Sequence, residues 1–192
     1  GKYNCCVNLK ILGVHSPGGF AEYIAAPARK IYLVPDGLPL AVAAFAEPIS
    51  IGIQACNRAV VKSDDVVLMM GCGPIGMVTM EVALERGARV IAVDVNQERL
   101  KLAGEVGAET ILSDGNPLSK VLDLTNGEGA SVVIEATGSP KVMEQTTDLV
   151  AAGGRIVIVG LVPRGVGVTF PVLDFTRKEL TILGSRTNKN CF

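Results

Sequence analysis

Tryptophan is absent from this sequence, and aromatic residues make up only 4% of it. Single-stranded nucleic acids bind proteins largely by stacking their bases on aromatic side chains, so this shortage argues against such a platform. The 18 basic residues nearly balance the 19 acidic ones, and the net charge is −1. We therefore expect neither a nucleic acid nor any other polyanion as a partner.

Long hydrophobic runs are also missing. The longest uncharged apolar stretch extends from Val66 to Met80 and is broken by glycines and a proline. A membrane-spanning helix needs about 20 consecutive apolar residues, so we expect no membrane partner. No signal peptide is recognisable at the N-terminus, which begins with Gly1.

Histidine and cysteine are sparse. The chain has one histidine, five scattered cysteines and no C-x-x-C pair. A structural zinc ion takes four such ligands, so the sequence by itself does not provide a complete zinc site. An odd number of scattered cysteines favours reduced thiols over a disulfide framework, and we expect a cytoplasmic protein.

The residues that are plentiful indicate the α/β class. Hydrophobic residues make up 48% of the chain and there are 22 glycines, which suits a well-buried core. Apolar runs alternate with helical patterns along most of the chain, an order typical of a doubly wound parallel sheet. Strands are predicted at 66–70, 89–93, 110–112, 131–135, 155–159 and 180–183, and helices at 75–86, 97–106, 117–124 and 141–150.

The first part of the chain has a different pattern. Residues 13–34 contain short alternating segments broken by prolines, which predicts a β-rich region. Residues 40–60 are rich in alanine, and we expect two helices that meet near Glu47 and Pro48, since proline is tolerated where a helix begins.

A glycine-rich turn follows the first predicted strand. Residues 71–76 read GCGPIG and match the G-x-G-x-x-G pattern. In a dinucleotide site, Gly71 would allow the tight turn, Gly73 would let the backbone approach a pyrophosphate, and Gly76 would let helix and strand pack closely. Its position between a predicted strand and a predicted helix makes the pattern more specific for a dinucleotide site. The alternative is a glycine-rich turn in another α/β protein, such as a methyltransferase.

An acid stands where a dinucleotide site needs one. Asp94 ends the second predicted strand, close to the spacing of about 20 residues expected after the glycine turn. Its carboxylate would accept hydrogen bonds from the adenosine ribose and would repel a phosphate there. We therefore expect NAD as the cofactor in preference to NADP.

Other strand ends point to the same site. Ligands of open parallel sheets lie outside the carboxyl ends of the strands, and this rule selects Thr137, the segment from Val159 through Gly160 to Leu161, and the segment from Ser185 through Arg186 to Thr187. Glycine also ends strands without any ligand, so each single end is open to that interpretation.

Five segments in a fixed order resemble one family, the zinc-dependent medium-chain alcohol and polyol dehydrogenases, and especially their sorbitol, threonine and sugar-acid branch. The segments are GVHSPGGFAEY at 13–23, AEPISIGIQAC at 46–56, the strand–helix–strand unit at 66–94, VVIEATGS at 132–139 and GGRIVIVGL at 153–161. The resemblance implies a partial GroES-like catalytic domain over residues 1–47, a Rossmann domain over 48–186, and the start of a return to the catalytic domain over 187–192. It also implies oxidation of a secondary alcohol by NAD in a zinc enzyme, of which this chain would be an internal piece.

The same resemblance implies roles for particular residues. Pro74, Ile75 and Arg99 join Asp94 among the cofactor contacts, residues 159–161 lie beside the nicotinamide, and residues 185–187 lie near its carboxamide. Glu47 matches an acid at or near the catalytic zinc, and Cys6 matches the last cysteine of the structural zinc lobe. The remaining zinc ligands would lie upstream, and His15 is interpreted as structural.

The sequence also predicts an assembly and leaves two alternative functions open. Residues 166–170 alternate as a short strand, which in this family pairs across a twofold axis, so we expect a homodimer or a dimer of dimers. One alternative is a non-enzymatic nucleotide-binding module. The other is a zinc-free, NADPH-dependent enzyme similar to quinone reductases, against which Asp94, Cys6 and Glu47 argue.

Overall fold

A computed structural model describes residues 2–191, and a six-stranded sheet lies at its centre. The strands are β1 (Val66–Met70), β2 (Arg89–Asp94), β3 (Glu109–Leu112), β4 (Ala130–Glu135), β5 (Val150–Ile158) and β6 (Thr181–Gly184). The helices are α1 (Leu40–Ala43), α2 (Ala46–Ala59), α3 (Pro74–Glu85), α4 (Gln97–Glu105), α5 (Leu118–Leu124), α6 (Pro140–Leu149) and α7 (Val172–Lys178). Tyr3–Cys5 and Ala28–Lys30 form short 3₁₀ helices.

The sheet is parallel throughout, in the order β3-β2-β1-β4-β5-β6. The chain moves outward from β1 to β3 and then crosses back to β4, so the order reverses between β1 and β4. This arrangement confirms the predicted doubly wound fold, and a crevice forms at the carboxyl ends of the strands where the order reverses.

Both faces of the sheet are covered. Leu68 and Met69 are neighbours on β1, point to opposite faces and are both fully buried. Met69 packs in a cluster with Cys56 of α2 and Met80 of α3, whereas Leu68 packs on the other face in a cluster that includes Val121 and Leu149. Continuous apolar strands are the expected consequence of this double burial.

A polar network holds the sheet at the end opposite the crevice. Arg155 pairs with Asp65 and also donates to the carbonyl oxygens of Ala59 at 2.7 Å and Val60 at 3.0 Å. Asp65 accepts a further hydrogen bond from the Ser131 hydroxyl at 2.8 Å. The network therefore links the start of β1 to β4, β5 and the end of α2.

Two predicted β segments are absent. Residues 2–39 contain no strand, only an isolated bridge between Leu12 and Ser16, and several of their large apolar side chains are exposed, such as Phe20 and Tyr23. Residues 166–170 also form no strand. The strand predictions are wrong there, because alternating patterns become strands only where a neighbouring strand is present to pair. The GroES-like assignment of residues 1–47 stays a prediction, with Gly1 outside the described residues.

The predicted helix junction lies slightly earlier than expected. α1 ends at Ala43 and α2 begins at Ala46, so Pro48 falls in the first turn of α2, where its missing N–H leaves no intrahelical bond unmade. By length and composition alone the stretch Leu40–Ala59 could cross a membrane. Core helices pass the same test, and Gly52 of α2 packs against α3 so closely that a Cβ there would lie 3.0 Å from the Thr79 Cα.

The first and last parts of the described chain lie together. The Asn4 side chain donates to the carbonyl oxygen of Arg186 at 3.0 Å, and the hydroxyl of Tyr3 bonds to Asn190. The Asn188 side chain donates to the Ser50 hydroxyl at 2.7 Å. These bonds fix the segment that follows β6 against α2 and the N-terminal residues.

Candidate dinucleotide-binding site

The glycine-rich turn after β1 is closely packed at two of its three glycines. Gly71 has a φ of +98°, a conformation that favours glycine, and a Cβ there would lie 2.7 Å from the methyl carbon of Thr137. A Cβ on Gly76 would lie 2.0 Å from the carbonyl oxygen of Gly71. A side chain at Gly76 would require the backbone to move, and one at Gly71 would be strained by its φ and would displace the Thr137 methyl group, in agreement with the structural roles predicted for these glycines.

Gly73 is different, because a Cβ there would meet no atom within 4 Å. It is the N-cap of α3, and Pro74 occupies the first helical position. The N–H groups of the first helical turn have no intrahelical acceptors and carry a partial positive charge. Open space in front of a helix N-terminus is the arrangement that accommodates a phosphate group.

Asp94 is the last residue of β2 and is 7% exposed. Its Oδ2 accepts a hydrogen bond from the backbone N–H of Cys72 at 2.7 Å, and its Oδ1 accepts one from Asn96 at 2.8 Å. The guanidinium of Arg99 lies 3.7 Å from Oδ2. The Asn96 side chain accepts hydrogen bonds from the N–H groups of Glu98 and Arg99 and so caps the N-terminus of α4.

A cavity of about 390 Å³ lies in front of these residues, and we call it the adenosine cavity. It brings Gly71, Gly73, Asp94, Arg99 and Thr137 together. Its other wall is formed by residues that were not predicted from the sequence. They share only their position, either after β3 or in and just before α6. These are Ser113, Gly115, Ser139, Lys141, Val142 and Gln145.

A second cavity of about 670 Å³ adjoins the first, and we call it the nicotinamide cavity. Ala136 and Thr137 line both cavities. Its remaining lining includes all the predicted residues after β5 and β6, and Ile75 of α3. The set is Ile11, Val14, His15, Ile51, Ile75, Val159, Gly160, Leu161, Ser185, Arg186 and Thr187.

Comparison with known proteins identifies the family. The family model for zinc-binding dehydrogenases matches residues 74–192, more than half of the 192 residues. The chain belongs to the zinc-binding dehydrogenase family. Its similarity to an L-threonine 3-dehydrogenase of Bacillus licheniformis is 38% identity, covering 96% of this chain and 54% of that protein.

Two solved structures are similar over nearly the whole chain. A short chain alcohol dehydrogenase from Escherichia coli, complexed with NADH, has 30% identity and a TM-score of 0.90, with 97% of this chain and 56% of that chain covered. A zinc-binding dehydrogenase from Sinorhizobium meliloti, bound to NADP, has 33% identity and a TM-score of 0.90, with 96% and 56% covered. The chain thus spans about half the length of these relatives.

The two predicted zinc ligands, Glu47 and Cys6, do not belong to a group of metal-binding side chains among residues 2–191. Glu47 lies in the first turn of α2 and is exposed, and Cys6 is exposed after the first 3₁₀ helix. Within residues 2–191 no group of three or more His, Cys, Asp or Glu side chains could hold a metal ion. These residues alone do not form a zinc centre.

His15 has a structural contact and also faces a cavity. Its Nδ1 accepts a hydrogen bond from the backbone N–H of Ile11 at 3.1 Å, which agrees with the structural role predicted for it. The ring nevertheless belongs to the wall of the nicotinamide cavity. No sequence pattern connects this loop to the ends of β5 and β6, so the place of His15 in the cavity wall was not predicted.

The buried thiols are unreactive groups. Burial, assisted by the charge of Asp94 and opposed by Arg99, raises the pKa of Cys72 to about 12. Burial likewise raises the pKa of Cys56 to about 11, with Arg86 acting in the opposite direction. Both side chains are therefore neutral at physiological pH and act as small apolar groups.

Proposed function

We propose that this chain is the cofactor-binding part of an NAD-dependent dehydrogenase that oxidises a small secondary alcohol to a ketone. The observation that carries the proposal is the pair of adjoining cavities, which meet at Ala136 and Thr137 and together have the two-part shape of a dinucleotide site. Asp94 lies in one of them, and the first turn of α3 begins beside it.

The residues of the crevice fit the cofactor. The adenosine ribose would bond to the remaining lone pairs of Asp94, and the pyrophosphate would occupy the open space beside Gly73. The nicotinamide would lie among Ile75, Val159 and Leu161, whose apolar side chains would contact the ring. NAD bound there would supply a hydride acceptor for the alcohol carbon, and the residues of the cavity would orient its ring.

A preference for NAD over NADP rests on the charge of Asp94. A ribose phosphate would lie against this carboxylate and be repelled, since two like charges a few ångströms apart interact unfavourably in a partly buried site. Arg99 is half exposed and could balance part of that charge. The relatives include one structure with NADH and one with NADP, so a direct comparison of the two cofactors is informative.

The relatives support a proposal for the substrate class. An L-threonine 3-dehydrogenase acts on a hydroxyl-bearing carbon of a small polar molecule, and we propose a polyol, sugar acid or related hydroxy compound for the whole protein. We further propose that the whole protein binds zinc, with Glu47 near the catalytic ion and Cys6 at a structural one. In residues 2–191 neither side chain has a bond or ion pair that would compete with this role.

Assembly and location are also proposals. We propose a homodimer, or a dimer of dimers, with a contact at residues 166–170, supported by their alternating apolar side chains. Five free thiols are consistent with the cytoplasm, where disulfides are rare.

Titration calorimetry of this chain with NAD and NADP tests the proposal. We expect NAD to bind at least tenfold more tightly than NADP, and a sample containing the full-length protein should reduce NAD when a polyol or threonine is added. Absence of NAD binding would reject the proposed function. Binding by the full-length protein without any turnover would favour a non-enzymatic nucleotide-binding module.

A further inference from the structure

A buried glutamate lies at the boundary between the two cavities. Glu135 is the last residue of β4 and is 0% exposed. Among residues 2–191 it takes part in none of the three ion pairs, which join Arg89 to Glu109, Arg99 to Asp94 and Arg155 to Asp65. Burying a carboxyl group is costly unless the protein supplies hydrogen bonds to it, so its bonds indicate its role.

The turn after β4 folds around this side chain. Oε1 of Glu135 accepts hydrogen bonds from the backbone N–H groups of Thr137 at 2.7 Å and Gly138 at 3.0 Å. It also accepts one from the Thr137 hydroxyl. Three donors on one oxygen fix the conformation of the Thr137–Gly138 turn.

That turn contacts the loops that flank the site on both sides. The Thr137 methyl group lies so close to Gly71 that a Cβ there would be 2.7 Å from it. On the other side, a Cβ on Gly138 would lie 2.7 Å from the carbonyl oxygen of Leu161. The turn therefore sets the spacing between the glycine-rich turn of the adenosine cavity and the loop after β5.

The second carboxyl oxygen reaches the loop after β5 directly. Oε2 of Glu135 is buried and has no hydrogen-bond partner among the described residues, and a Cβ on Gly160 would lie 2.5 Å from it. The backbone N–H groups of Val159 and Gly160 donate to the Glu135 carbonyl oxygen at 2.9 and 3.0 Å. Gly160 is thus a glycine because Glu135 and the following turn occupy the space of a side chain.

We infer that Glu135 is a positioning residue for the dinucleotide, which holds the Thr137–Gly138 turn so that the adenosine and nicotinamide cavities accept one ligand together. The inference rests on the proposed function. Glu135 is walled off from both cavities by the turn, so it acts through Thr137 and Gly138. Its loss should weaken a ligand that spans both cavities much more than one confined to the adenosine cavity.

Calorimetric titrations with NAD and with AMP test this. Glu135→Leu has a similar volume but no acceptor, and we expect NAD affinity to fall at least tenfold while AMP affinity stays within threefold. Glu135→Gln keeps an oxygen for the three donors and should restore NAD affinity to within threefold of wild type. Glu135→Asp keeps a carboxyl group but places its oxygens one methylene farther from the turn. It should resemble Glu135→Leu and provides a second test if the leucine variant fails to fold.

The matched control is Asp65→Asn, which weakens the polar network at the opposite end of the sheet. It should lower the melting temperature and leave both affinities within twofold of wild type. Equal losses of NAD and AMP binding in Glu135→Asp would overturn the inference, as would unchanged NAD binding in that variant. If the wild-type protein binds AMP but not NAD, the proposed function itself fails, and the two failures are thereby distinguished.

Discussion

The carboxylate of Asp94 accepts a 2.7 Å hydrogen bond from the backbone N–H of Cys72. This bond joins the end of β2 to the middle of the glycine-rich turn after β1. The residue that would bind the ribose and the backbone that would bind the pyrophosphate are thus held at a fixed distance before any ligand arrives. Such preorganisation reduces the ordering that binding would otherwise require.

Replacement of Asp94 by alanine should weaken NAD binding about 10- to 100-fold, because hydrogen bonds to a charged group contribute about 1.5–3 kcal/mol each. NADP binding should change less, so the preference between the cofactors narrows. Calorimetry measures both affinities, and Glu98→Ala on the exposed face of α4 is the control. A wild-type protein that binds the two cofactors equally would refute the role assigned to Asp94.

Alanine substitutions at two glycines of one turn should affect different properties: Gly76→Ala should lower stability, and Gly73→Ala should weaken NAD binding. Gly76→Ala places a Cβ 2.0 Å from a backbone oxygen, so we expect a loss of about 2 kcal/mol or more and a melting temperature lower by about 4–8 °C. Gly73→Ala meets no atom and should melt like wild type, yet bind NAD at least about tenfold more weakly, since the methyl group fills space needed by the pyrophosphate. Wild-type NAD affinity in Gly73→Ala would contradict the proposed placement of the cofactor.

Replacement of Arg155 by methionine should destabilise the fold without affecting the site. The guanidinium pairs with Asp65 and donates to two carbonyl oxygens, so its removal leaves the buried Asp65 carboxylate without its cation and should cost about 2–4 kcal/mol. Urea denaturation measures the loss. Arg155→Lys retains the charge without the forked geometry, so its stability should lie between those of the wild-type protein and Arg155→Met. If Arg155→Met is as stable as wild type, the role of this network is refuted.

Thiol labelling should distinguish the cysteines. At pH 8, a disulfide reagent such as DTNB should modify the exposed Cys5 and Cys6 within minutes and reach Cys56 and Cys72 only after unfolding in guanidinium chloride. Burial also raises the pKa of Cys72 to about 12, so in the folded protein its thiol is almost entirely protonated at pH 8, whereas only a thiolate reacts. Peptide mapping identifies the labelled residues, and rapid labelling of Cys72 in the folded protein would contradict its burial.

The proposed dimer can be tested at Phe170, which is half-buried and lies edge-on against Phe175. Phe170→Asp should shift the sedimentation coefficient to that of a monomer, because a charge at a twofold contact faces its own copy. Leu102→Asp adds the same charge to an exposed position on α4 and should leave the dimer intact. A wild-type protein that sediments as a monomer would reject the proposed assembly.

The sequence predicted the unit β1-α3-β2 well because its determinants are local. An apolar run, a glycine turn and an acid at the next strand end require no information from elsewhere in the chain. The start of β5 was placed too late, at residue 155, because Val150 becomes a strand residue only by pairing with Ala130 across the sheet. Lys141 and Gln145 were missed for a similar reason, since the fold alone brings α6 to the adenosine cavity.

The role of Glu135 was not predicted from the sequence. Its hydrogen bonds reach only two and three residues along the chain, so a local signal existed: an acid at the end of an apolar strand, directly before Ala-Thr-Gly. The small residues after the strand were interpreted as space for a ligand, and the role of the preceding acid in folding this turn was not predicted. A buried acid that ends a central strand is more informative than the glycine after it.

The bond between Asn4 and Arg186 joins positions separated by 182 residues. Closing a loop of that length has an entropic cost that is recovered only after the sheet has assembled. We therefore expect residues 186 and 187, which line the nicotinamide cavity, to become ordered after Gly71, Gly73 and Asp94, which lie at the ends of neighbouring strands. On this expectation, the adenosine half of the crevice forms before its nicotinamide half.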